Sequence, residues 1–259
     1  MTVVDTKEHP SKVYEMFAVR PDSPSSYEMA YTPCEWLEGA KLSRFLEDYG
    51  GCINAPSADM TAVFWANRYS RYLAFFHLAV AKGYKVSATL DQLTVYFCSR
   101  VEGNEPAFEF HTKFTREGSI DRASRQNKLT SFYTNHVAPL FQAFASRAGL
   151  STRELWGQVY HAVPYFIDLA KVTEPAELQQ RLQEDWAFIT QEAGAEIFQE
   201  KRSPFQFKLI PIPNPVDHKP LYTKPTCCLA YKGANPYCYR CPRMKLAERK
   251  ERYQKYQEK

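Results

Sequence analysis

The chain has 259 residues, 44% of them hydrophobic and 15% aromatic, which suffices for one large domain, or a domain with a small appendage, around a substantial core. No apolar run approaches the ~18 to 20 residues that a membrane helix needs. The most apolar stretch, Tyr72 to Ala81, is ten long and includes His77. The formal net charge of +4 is unremarkable, but residues 240–259 hold eight Lys/Arg against three Glu, a net +5 that leaves about −1 for the preceding 239 residues.

Met1 to Pro10 carries Asp5, Lys7 and Glu8 and no apolar core, so it does not read as a secretory signal, and a cytoplasmic protein with reduced thiols is expected. Pro21 to Ser26 reads as a loop. A helix is expected over 35–49, stopping at Gly50–Gly51. Another is expected over 59–82, capped by Asp59 and closed by Gly83, with Met60, Phe64, Tyr72, Phe76 and Val80 on its apolar face. The period then changes to two. Leu93, Val95 and Phe97, then Phe108, Phe110 and Phe114, alternate with more polar neighbours across a turn at 102–106, the pattern of an antiparallel hairpin with one buried face. On its outer face His111 and Lys113 are expected to meet water.

Leu129, Phe132, Val137, Leu140, Phe141 and Phe144 form a helical stripe over 122–148, which Pro139 should kink or split. Ser151 with Glu154 reads as a capping box opening a helix with Leu155, Trp156, Val159 and Val163 inward, and Pro164 should kink or end it. Thr173 and Pro175 open a third helix with Leu178, Leu182, Trp186 and Ile189 inward. Phe205 to Ile210 looks like a strand, and Pro211, Pro213, Pro215 and Pro220 mark a stiff connection. The expected class is α+β, mainly helical, with a small antiparallel sheet and a C-terminal four-cysteine metal module. Residues 1–210 are expected to form the body, and residues 211–259 the cysteine segment with a basic terminal helix.

The chemistry concentrates in Cys227, Cys228, Cys238 and Cys241, four thiols within fifteen residues. Clustered cysteines in a reducing compartment point to metal or redox chemistry. Four thiolates suit a tetrahedral zinc ion or an iron–sulfur cluster. Cys238-x-x-Cys241 has the spacing of a chelating pair, whereas side chains of adjacent residues in extended chain point to opposite faces, so Cys227–Cys228 does not converge easily on one zinc ion. Two irons relax that demand. Cys34, Cys52 and Cys98 read as ordinary small hydrophobes.

The Cys-Cys, nine-residue gap and Cys-x-x-Cys near the C-terminus resemble the ferric-siderophore reductases of the FhuF type, with one residue fewer in the gap than in the family pattern. Phe64-Trp65-Ala66-Asn67-Arg68-Tyr69, Asn135-His136-Val137-Ala138-Pro139-Leu140 and Leu155-Trp156-Gly157 resemble further segments, so the likeness spans residues 60–242. It implies a [2Fe–2S] cluster held by the four cysteines and one-electron reduction of siderophore-bound Fe(III) to Fe(II). The implied substrate is a ferric siderophore of hydroxamate or citrate-hydroxamate type, and the implied catalyst is the cluster itself.

No Gly-x-Gly-x-x-Gly after a strand and no P-loop occurs, so the expected electron source is another protein, ferredoxin- or flavodoxin-like. Arg68 and Arg71, near Phe64, Trp65 and Tyr72, read either as contacts for an anionic siderophore or as surface ion pairs with snorkelling stems. His77, Trp156 and Trp186 read as core. The basic tail reads as a solvated helix or as an electrostatic landing strip for an acidic donor or the siderophore. The alternative function is a structural or nucleic-acid-binding zinc protein with a four-cysteine site, although no recognised nucleic-acid fold accompanies the cysteines and no nucleic-acid partner is expected. No membrane span is expected, and peripheral membrane association stays open.

Overall fold

The structure is a computed structural model that describes residues 16–21, 27–98, 107–217, 219–233 and 235–258. The chain is α+β and mainly helical. Its helices are α1 (Gly39–Cys52), α2 (Ala58–Ala81), α3 (Arg122–Phe132), α4 (Ala138–Ala148), α5 (Thr152–Lys171), α6 (Ala176–Ala187) and α7 (Leu246–Gln257). Helix α2 forms the centre. It buries residues on every side, including Trp65, Tyr69, Tyr72, Phe76 and His77, as expected of a helix apolar around its circumference.

Helix α5 lies along α2 in the same direction. At their N-terminal ends, Gly157 of α5 approaches Thr226 and Met60 of α2 approaches Gly233. Midway, Arg71 lies over the Phe166 ring at 5.4 Å. At the far ends Lys82 pairs with Glu174 at 2.6 Å. Both helices therefore present their N-terminal halves to the cysteine segment.

The main sheet has the order β1-β5-β4-β2, from β1 (Val19–Arg20), β2 (Met29–Tyr31), β4 (Leu93–Cys98) and β5 (Ala107–Thr112). The β4–β5 pair is antiparallel, with Val95 opposite Phe110 and Phe97 opposite Phe108, and these four side chains are buried. Strand β1 joins β5 in parallel, so the sheet is mixed rather than purely antiparallel. Phe114 does not continue β5. It belongs to β6 (Phe114–Arg116), which pairs with β3 (Tyr84–Val86). The expected turn at 102–106 lies outside the described residues, as do residues 22–26 of the expected N-terminal loop.

Local expectations failed where tertiary contacts compete. Helix α1 starts later than expected, after a 3-10 turn at Pro33–Leu37, and runs through Gly50 and Gly51. Ser57, not Asp59, occupies the N-cap of α2. Pro139 splits the long stripe as expected, but through a π-helical turn at Tyr133–Val137 that leads directly into α4. The wider turn absorbs the missing proline N–H and the clash with the preceding turn. Pro164, by contrast, leaves α5 unbroken to Lys171. The buried face of Leu155, Trp156, Val159, Val163 and Ile167 outweighs the ~3 kcal/mol that an internal proline costs.

Phe205 to Ile210 is not a strand. Phe205 instead packs its ring against Trp156, Trp186 and Phe198, and pairing begins only with β7 (Pro211–Ile212) and β8 (Leu221–Tyr222). His111 does not face water: it is 7% exposed, covered by the Tyr96 ring at 4.6 Å. His77 and Trp156 are core, as expected, while Trp186 is only partly buried. His77 bonds the Tyr133 hydroxyl at 3.1 Å. Cys34 and Cys52 are half-buried free thiols. Cys227, Leu229, Cys241 and Met244 lie in the same apolar cluster as the helical body. Among the described residues, no helix is long and apolar enough to cross a membrane.

Candidate metal centre

The cysteine segment is a compact loop closed at its base. The Lys224 N–H donates to the Arg240 carbonyl at 2.8 Å, and Arg240 Nε donates to the Tyr222 carbonyl at 2.8 Å. At the far end of the motif, Cys241 N–H donates to the Cys238 carbonyl and Met244 N–H to the Cys241 carbonyl, at 2.8 and 3.2 Å. These two tight turns hold Cys238-x-x-Cys241 as a curl, the usual form of a chelating pair. On the other limb, Leu229 takes the left-handed conformation at φ 61°, an uncommon state for a branched residue. The resulting bend brings the Leu229 N–H back to Cys227 Sγ at 3.4 Å.

Cys227 Sγ lies 3.4 Å from Cys241 Sγ, and Cys228 and Cys238 lie close enough to perturb each other's ionisation. The 3.4 Å separation is far from the ~2.05 Å of a disulfide. It is close to the ~3.8 Å spacing of two thiolates sharing a tetrahedral metal with ~2.3 Å bonds.

Among the described residues, no three His, Cys, Asp or Glu side chains close on one point as a single ion would need. The structure places the Cys227 and Cys241 thiols side by side, with Cys228 and Cys238 on the same loop. Burial pushes the Cys227 thiol up, while the bond from Cys238 pulls Cys228 down and raises Cys238 in turn. Cys227 and Cys241 are buried, whereas Cys228 and Cys238 are half-exposed, so the latter two form the solvent side.

Three parts of the body hold this loop. Helix α5 grips it at Thr226, whose hydroxyl donates to the Glu154 carbonyl at 3.1 Å and accepts from Gln158 Nε2 at 3.0 Å. A Cβ on Gly157 would sit 2.2 Å from Thr226 Oγ1, so glycine is what lets the residue before Cys227 lie flat on the helix. Helix α2 contributes Asp59, which pairs with Lys232. Helix α7 closes the third side. Arg249 donates to the carbonyls of Tyr239 and Cys241 at 3.2 and 2.7 Å, and Arg252 donates to the Tyr237 carbonyl. The terminal helix is therefore neither a free solvated helix nor only a landing strip: two of its arginines are structural.

The solvent side is cationic. Lys224 acts on both Cys228 and Cys238. With Arg240 it adds to burial in holding the His161 imidazole down to about 4. Farther along the α2–α5 surface, Arg71 is partly buried, with the charge of Arg68 beside it and exposed Tyr165 nearby. Arg68 and Arg71 thus do lie together, on a face shared with α5. The parts missed from sequence are Thr226, Gln158 and His161, while Arg249 stood there only as one charge of the basic tail. Gly157 alone carried a signal, as an unpaired glycine inside a helical pattern. The chain matches no protein-family model and no curated protein.

Proposed function

We propose that the chain is a ferric-siderophore reductase that carries a [2Fe–2S] cluster on Cys227, Cys228, Cys238 and Cys241. The observation that carries this reading is the 3.4 Å approach of the Cys227 and Cys241 thiols, with Cys228 and Cys238 in the same loop; four thiolates are the ligand set of a two-iron cluster. When bound, the cluster supplies one electron at a time. Hard oxygen donors hold Fe(III) far better than Fe(II), so one electron delivered to a ferric chelate loosens it, yielding Fe(II) and the free siderophore.

The remaining roles belong to side chains. Cys227, Cys241 and the Leu229 N–H form the dry half of the centre, and hydrogen bonds to ligand sulfur are one means by which a protein tunes such a site. Lys224, Arg240, Arg68 and Arg71 offer positive charge to an anionic chelate of hydroxamate or citrate-hydroxamate type. The electron donor is a ferredoxin- or flavodoxin-like protein, and the setting is cytoplasmic.

Protein purified without oxygen from iron-replete cells is expected to be red-brown, to bleach with dithionite and to give a paramagnetic reduced state. Serine at any of the four cysteines should remove or deeply alter that spectrum, whereas alanine at Cys34, Cys52 or Cys98 should not. The reduced protein should turn an Fe(II) trap positive in the presence of a ferric siderophore, and NADPH alone should not drive the reaction. Colourless protein holding one tightly bound zinc would overturn the proposal in favour of a structural zinc site.

A further inference from the structure

Arg249 is only 6% exposed, and its guanidinium donates to two backbone carbonyls, those of Tyr239 and Cys241. Among the described residues no carboxylate pairs with it. Arg252, one turn further along α7, makes the same kind of bond to the Tyr237 carbonyl, but Glu248 neutralises it at 2.7 Å. The two arginines thus do similar mechanical work on one loop, and only the inner one keeps its charge uncompensated.

A buried cation without a counter-charge is costly, and carbonyl oxygens offer only partial negative charge. The compensating charge must come from what Arg249 faces, and it holds the carbonyl of Cys241, one of the four thiol residues. Lys224 brings a second positive charge from the Cys228–Cys238 side. Two cations beside one group of thiols favour an anionic centre there.

We infer that Arg249 is a positioning residue that offsets the negative charge of the four-thiolate centre and sets its reduction potential. The inference rests on the iron–sulfur reading above. A cluster held by four thiolates is anionic and gains negative charge when it accepts an electron, so a fixed cation nearby favours the reduced state. Net charge, hydrogen bonding and exposure are the quantities that move such potentials. Because Arg249 is buried, salt screens it little, unlike the exposed charges of the tail.

The test is a potentiometric titration of the loaded protein, followed by absorption and paramagnetic resonance, in wild type and in Arg249→Gln, Arg249→Lys and Arg252→Gln. Arg249→Gln is expected to make reduction about tenfold less favourable, a fall of about 59 mV for a one-electron couple. Arg249→Lys keeps the charge and should stay near wild type, and Arg252→Gln should shift the potential much less than Arg249→Gln.

An unchanged potential in Arg249→Gln, or a shift no larger than that of Arg252→Gln, overturns the inference. If Arg249→Gln fails to hold the cluster, Arg249→Lys decides: a cluster at wild-type potential supports the charge role, and loss in both variants overturns it. Colourless wild-type protein overturns the iron–sulfur reading, and this inference with it. A coloured wild type with an unmoved Arg249→Gln overturns this inference alone.

Discussion

Gly157→Ala tests the seam between α5 and the cysteine loop. The new methyl would lie 2.2 Å from Oγ1, 2.4 Å from Cγ2 and 2.8 Å from Cβ of Thr226. Thr226 cannot swing away cheaply, because it is β-branched and its hydroxyl holds both Glu154 and Gln158. Overpacking of this kind costs about 1 to 3 kcal/mol. Loss of the two hydrogen bonds adds about 0.5 to 1.5 kcal/mol each, and the helix regains about 1 kcal/mol on replacing glycine by alanine.

The net expectation is a loss of about 3 kcal/mol, or about 6 to 12 °C in melting temperature at this chain length. Urea denaturation and thermal melting of the metal-free protein measure it. Alkylation of Cys227, buried beside Thr226, should quicken in parallel. Thr226→Gly removes all three contacting atoms, so in that background Gly157→Ala should cost almost nothing or stabilise by about 1 kcal/mol through helix propensity. Equal destabilisation by Gly157→Ala in both backgrounds would refute the steric account.

Truncation after Met244 removes Arg249 and Arg252 and so frees the carbonyls of Tyr237, Tyr239 and Cys241; iron content per chain should drop sharply, and full retention would show that α7 is dispensable. His77 is fully buried, and that burial lowers its pKa from 6.5 to about 3. The unfolded chain therefore binds the proton first as pH falls, and the stability present above pH 6.5 declines below it by up to about 1.4 kcal/mol per pH unit from this residue. His77→Gln should flatten that part of the stability profile between about pH 6 and pH 4, and an unchanged slope would show that His77 does not contribute to it. Lys224→Gln and Arg71→Gln should each lower kcat/KM several-fold for an anionic ferric chelate at low salt. The deficit should shrink as salt rises over a Debye length of ~8 Å at physiological ionic strength, and an equal loss with a neutral chelate would argue against charge recognition.

The elements visible before folding were those whose signal is local. The period of Leu129, Phe132, Val137, Leu140 and Phe144, the capping box at Ser151 and Glu154, and the alternation from Leu93 to Phe97 each express how one segment buries one face, and all three occur. Strands β1 and β2 were not visible, because two or three residues carry no period and form only by adding to β5 and β4. The failures at Phe205–Ile210, Pro164 and His111 share a cause. Each depends on what a distant segment places alongside, whether the Trp156–Phe198 rings, the flank of α2 or the ring of Tyr96.

The same division runs through the candidate centre. Cysteine identity and spacing alone marked four residues as a metal motif, because the chemistry of clustered thiols needs no knowledge of the fold. That Cys227 meets Cys241 was decided by the left-handed turn at Leu229 and the curl from Cys238 to Met244. Thr226 meets Gly157 across 69 residues of chain, and Arg249 looked like one of eight similar charges until α7 folded under the loop and buried it. Local sequence determines which groups are available, while burial and partner choice belong to contacts between segments far apart in the chain, and those contacts decide whether a charge is solvated or bonded to the backbone of the cysteine loop.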